Sequence, residues 1–156
     1  MKHSFLRTIK QIVFFFIFLL LSSCGLKSIP SEYTFVKTDF ENVDLDKLGN
    51  GKVLIYNGAD ILHTIDNTSR LNIWIDEKPL GQLRASEYVI IDLKNGKYKF
   101  KALHLDMVNM RSTDEVEITE STKVIKIKPN LTSNKLTITN ELPKNFQNFK
   151  YAENRK

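Results

Sequence analysis

The sequence predicts an all-β chain, a small antiparallel β-sandwich of about seven strands, because short apolar segments keep recurring between turn signals at the spacing such folds use. Two further observations support it. Several segments alternate apolar and polar residues with the period of two that a half-buried strand requires, and no stretch after residue 24 sustains a helical period.

Taken in order, residues 25–50 contain Pro30 and apolar residues without a regular period, and read as a tether that ends at the turn signal Gly49-Asn50-Gly51. Residues 52–56 read as a buried strand, and residues 57–70 as a long loop opening with Asn57-Gly58. Leu71, Ile73 and Ile75 then share one face of a strand, with Asn72 and Trp74 on the other. A turn at residues 76–79 leads into the short strand 80–83. Asn95-Gly96 suits a two-residue type I′ hairpin, which sets Leu93 opposite Tyr98, Ile91 opposite Phe100 and Val89 opposite Ala102. A second hairpin is expected between residues 115–118 and 123–128, with Val116 meeting Ile127, Ile118 meeting Ile125, and Glu115, Glu117 and Glu120 facing Lys128, Lys126 and Lys123. Leu136 and Ile138 alternate with Thr137 and Thr139 in a last strand that ends before Pro143. The tail after it mixes Phe146, Phe149 and Tyr151 with basic residues, and is expected to fray or to lie on a membrane or partner surface.

The first residues carry a different signal. Lys2, Arg7 and Lys10 precede an apolar run over residues 12–21, which is shorter than the roughly 20 residues a membrane-spanning helix needs. Leu21-Ser22-Ser23-Cys24 follows at once, and Cys24 is the chain's single cysteine. This arrangement resembles a bacterial lipoprotein signal. The resemblance implies cleavage between Ser23 and Cys24, lipid on the Cys24 thiol, and anchoring to a membrane through that lipid alone. Gly25, rather than an aspartate, follows the cysteine, which by the same resemblance implies the outer membrane and its periplasmic face in a Gram-negative host. The expected organisation is a signal over 1–23, a lipidated tether over 24–50, a sandwich over 51–142 and a polar tail over 143–156.

The whole chain carries 23 basic and 18 acidic residues, a net +5. Three of the basic residues lie in the signal, so the remainder is only +2 and gives no reason to expect nucleic acid as a partner. With Cys24 lipidated there is no thiol for a disulfide, a metal or a nucleophile.

Residues 75–83 (Ile-Asp-Glu-Lys-Pro-Leu-Gly-Gln-Leu), then Tyr88, then Leu93-Lys94-Asn95-Gly96-Lys97-Tyr98, resemble the DUF2846-type lipoprotein domain, with the PEGA-type sandwich as a neighbour. Glu77 stands where that pattern has a glycine, and Asn95 where it has a proline. The resemblance implies a β-sandwich in the cell envelope and brings no catalytic residues.

Chemistry-bearing residues are few. His63 sits among Asp60 and Asp66, and His104 is two residues from Asp106, but neither has the spacing of a metal site or a catalytic pair, and the expectation is no cofactor and no metal. There is no nucleophile elbow, P-loop or dinucleotide fingerprint. Alternation within the expected hairpin and on the Trp74 strand turns Trp74, Tyr88, Ile90 and Leu103 outward, which makes them the candidate surface for an envelope protein partner. The reading is therefore a membrane-anchored envelope lipoprotein whose sandwich binds or supports another envelope component without catalysis. The alternative is a periplasmic hydrolase or metal-dependent enzyme using His63, His104 and nearby carboxylates.

Overall fold

The structure, a computed structural model, describes residues 26–36, 43–59, 69–106 and 108–152. The expected signal over 1–23, the expected cleavage and lipidation site at Ser23 and Cys24, and His63 lie outside the described residues.

The chain is all-β. Its strands are β1 (Lys52–Asn57), β2 (Leu71–Ile75), β3 (Lys78–Leu83), β4 (Glu87–Asp92), β5 (Gly96–Leu105), β6 (Asn109–Ile118), β7 (Val124–Asn130), β8 (Ser133–Ile138) and β9 (Lys150–Tyr151). Two sheets form, one in the order β8-β7-β1-β4-β9 and the other β3-β2-β5-β6. The second is wholly antiparallel. The first is mixed, since β1 runs parallel to β7 and β4 parallel to β9. Between the sheets lies a core that includes Val53, Ile55, Ile73, Ile91, Phe100 and Ile125.

Both expected hairpins are instead arches between sheets. β4 pairs with β1 and β5 with β2 and β6, so the chain crosses the sandwich at Asn95-Gly96. A type I′ turn needs positive φ at both central residues; Gly96 has φ 155°, but Asn95 stays outside the positive-φ region. Val89, Ile91 and Leu93 therefore meet Phe100 and Ala102 across the core rather than alongside them. The second arch separates β6 from β7: Glu115 and Glu117 lie opposite Lys99 and Lys97 of β5, not opposite Lys128 and Lys126. The Thr119 to Thr122 reversal is closed by the Thr122 N–H donating to Thr119 O at 3.0 Å. It is seated on the Gly49 turn, where a Cβ on Gly49 would stand 2.8 Å from Glu120 O.

The expected turn after β2 is present as a tight hairpin. Asp76 and Glu77 both take positive φ, 48° and 66°, so Glu77 adopts the conformation for which the resembled pattern uses glycine. Asp76 Oδ1 accepts from the Lys99 N–H at 2.8 Å and ties this turn to β5.

Candidate functional site

The four residues expected to share a patch do not share a face. Trp74 and Leu103 lie on the outer side of the β3-β2-β5-β6 sheet and are half-buried. Tyr88 and Ile90 belong to the other sheet, 3% and 0% exposed, within a second apolar cluster with Leu54, Tyr56, Val124 and Leu48. The physical reason is that β1 and β4 are apolar on both faces, as central strands are when something covers each side.

The cover comes from the tether and the tail. Val36, Val43 and Leu45 of the N-terminal segment and Leu142, Phe146, Phe149 and Tyr151 of the C-terminal segment pack on this cluster. Residues 143–152 of the tail are thus folded rather than frayed. Tyr56 and Phe149 meet edge to face at 5.5 Å, Tyr88 lies 4.9 Å from Phe146 and 5.6 Å from Tyr151, and Phe146 stacks on Phe149. The Tyr151 hydroxyl donates to Val36 O at 3.3 Å and joins the two covering segments. Burial pushes the Tyr56 and Tyr151 hydroxyls above the ordinary tyrosine pKa, which keeps both as donors.

The N-terminal segment also lies on the outer face of the Trp74 sheet. Asn72 and Gln82, paired across β2 and β3, are buried there: Asn72 Nδ2 donates to Lys27 O at 2.8 Å, and Gln82 Nε2 to Leu26 O at 3.3 Å and to Asn72 Oδ1 at 3.0 Å. The segment continues along β3, with Glu32 N–H donating to Pro79 O and the Tyr33 hydroxyl to Ile75 O. Gly81, at φ 114° beside a β-bulge, turns a bare backbone toward Ser31. Between this segment and the sheet opens a groove of about 920 Å³ with Trp74 and Leu103 in its lining, Leu26 and Ile29 along one wall, and Lys101 and Arg111 among its polar groups. Lys101 is paired with Glu77.

His104 has a structural position. It is 1% exposed and faces into the sandwich, where its Nδ1 lies 2.8 Å from Asn134 Oδ1 of the opposite sheet. Asn134 Nδ2 donates to Ala102 O and Met110 O, so Oδ1 is its acceptor and the proton between them belongs to His104 Nδ1. Asp106 lies just beyond the end of β5. A second asparagine clamp closes the same end of the sandwich: Asn57 is fully buried and its Nδ2 donates to Ser69 O and Leu83 O. Among the described residues, no three His, Cys, Asp or Glu side chains converge as a metal site would require.

Asn57, Asn72, Gln82 and Asn134 are the residues that sequence reasoning missed. Their one legible trace is that each is an amide within a strand, where amides are disfavoured unless a backbone partner holds them. Comparison with known proteins finds no matching family model, no matching curated protein and no matching solved structure.

Proposed function

We propose that this chain is an envelope lipoprotein anchored through acylated Cys24, with a non-catalytic β-sandwich, similar to the DUF2846-type domain, that binds or supports another envelope component. The observation that carries the reading is Leu21-Ser22-Ser23-Cys24 at the end of a short apolar run, with the chain's single cysteine in the acylated position. Two or three acyl chains hold a protein firmly where one holds it marginally, at about 0.8 kcal/mol per buried methylene. The use of His104 in packing supports the non-catalytic half, since a buried imidazole engaged by Asn134 serves the join between sheets. For a partner, the groove beside Trp74 and Leu103 remains, because Tyr88 and Ile90 are taken up by the chain's own segments.

Metabolic labelling with a radioactive fatty acid tests the anchor. The wild-type protein should incorporate label and lose residues 1–23, whereas Cys24→Ser should do neither and still fold, because Cys24 bridges nothing in the sandwich. Label retained in the variant would refute the assignment.

A further inference from the structure

We infer that the end of the sandwich carrying the β5–β6 and β7–β8 hairpin tips is seated on an anionic bilayer surface, with Val108 and Leu131 entering the headgroup layer. This rests on acylation of Cys24 and adds to it a fixed orientation.

Three observations converge on this end. The first is the attachment point. Leu26 is hydrogen-bonded to Gln82, in the strand row of Asn72, Leu103 and Arg111, and from there the segment runs away from the tips toward Pro79 and Ile75. Cys24 is two residues upstream, so its Cα lies within about 7.6 Å of that of Leu26. A lipid so close to a pinned residue leaves the domain little freedom to stand off the membrane.

The second is apolar exposure. Val108 and Leu131 are 59% and 71% exposed, the highest among the large hydrophobic residues described, and each sits in a hairpin connection. The two connections lie at one end, since Asn134 near the start of β8 bonds Ala102 and Met110 near the β5–β6 tip. Three residues separate the Leu103 row from Asp106, about 10 Å at strand rise, so the tips project past the Leu26 row by roughly the distance Cys24 can reach. An acyl chain entering the bilayer at Cys24 therefore brings the tips to the interface, where apolar side chains sit about 5–10 Å deep.

The third is charge. Lys27, Arg84, Arg111, Lys135 and Lys150 are exposed at this end, within reach of lipid phosphates. The acidic groups described there are Asp106 and the buried Glu87, which accepts from the Arg84 N–H at 2.8 Å. The opposite end mixes both signs: Asp46 is paired with Lys123 and Glu77 with Lys101, and Asp92 and Glu117 lie opposite Lys52 and Lys97. Among the described residues, an excess of exposed basic side chains at the tip end, set against a mixed far end, favours the tip end facing an anionic membrane.

The test uses the purified, acylated full-length protein in vesicles of phosphatidylethanolamine and phosphatidylglycerol. An environment-sensitive fluorophore is placed on Val108→Cys, Leu131→Cys or, at the opposite end, Asn95→Cys; the acylated Cys24 does not react. A nitroxide carried on the lipid should quench the label at 108 and 131 and leave that at 95 unquenched, and Arg111→Glu with Lys135→Glu should weaken the quenching at both tips. Equal quenching at all three sites, stronger quenching at 95, or tips shielded from a water-soluble quencher yet untouched by the lipid-borne one, as a second copy or another protein would shield them, would each overturn the inference. Intact mass separates the two readings. Protein lacking acyl chains refutes the anchor itself, whereas acylated protein with unquenched tips refutes only the seating.

Discussion

Replacing Ile90 with lysine tests whether the tether and tail are structural parts of the domain. Ile90 is 0% exposed on the face that these segments cover, with Leu54 beside it in register on β1. Losing its apolar burial costs about 1.5–3 kcal/mol. An ammonium left in its place without a counterion adds several kcal/mol more. The sum is comparable to the whole stability of a typical domain, about 5–15 kcal/mol, so Ile90→Lys should leave little folded protein at 25 °C. Ile90→Ala gives a measurable midpoint and should cost about 2–5 kcal/mol. The assay is urea denaturation of residues 25–156 followed by tryptophan fluorescence and circular dichroism, with Thr137→Lys, an exposed β8 position, as the control expected to stay within about 0.5 kcal/mol. Deleting residues 143–156 should lower the stability of the parent and shrink the cost of Ile90→Lys, since part of the cover is then gone. A lysine at 90 tolerated as well as one at 137 would mean that this face is open, and the packing of Phe146, Phe149 and Tyr151 over it would have to be abandoned.

Two further perturbations probe other parts of the fold. Asn134→Leu removes the acceptor of His104 Nδ1–H and the donor shared by Ala102 O and Met110 O, so it should destabilise by roughly 3 kcal/mol at about 1–3 kcal/mol per buried group stripped of a partner, and a midpoint unchanged in urea would refute the inter-sheet clamp. Burial raises the pKa of Asp114 above the ordinary 3.8, so the folded state favours its protonated form; this contribution is present at low pH and is lost as pH rises through the folded value. Asp114→Asn should therefore raise the melting temperature at neutral pH and lose that advantage in acid, and an advantage that grows on acidification would contradict the sign.

Much of the fold was legible because strand content depends on local alternation. The segments around Leu71, Leu80 and Ile125 lie where the pattern puts them, and the positions expected to face inward, from Val89 and Ile91 to Phe100 and Ala102, do face the core. What alternation does not carry is which strand lies beside which. A hairpin and an arch at Asn95-Gly96 turn the same side chains inward, so Ile91 and Phe100 satisfy either, and the choice rests on the turn backbone and on the partners that β1 and β6 offer. The charge pattern was equally ambiguous: Glu115 and Glu117 find opposed lysines on β5 as readily as on β7. The split of the candidate patch follows from this one substitution of arch for hairpin, since it sends β4 with Tyr88 and Ile90 to the far sheet.

The outward residues of the two sheets carried the remaining information. On β1 and β4 the outward positions are Leu54, Tyr56, Tyr88 and Ile90, too apolar to face water as a row, and their burial required a cover that the sequence supplies at a distance in Val36, Leu45, Phe146 and Phe149. On β2 and β3 the outward positions include Asn72 and Gln82, whose amides donate to backbone carbonyls of Leu26 and Lys27. One face thus takes up apolar side chains and the other takes up main chain, and segments read as a loose tether and a frayed tail become the outer layers of the domain. On the proposed acylation of Cys24, a segment hydrogen-bonded to a strand two residues from that cysteine would transmit orientation, whereas a long flexible linker would transmit only proximity. The short span between Cys24 and Leu26 is therefore the feature through which the proposed anchor would govern how the sandwich presents its groove.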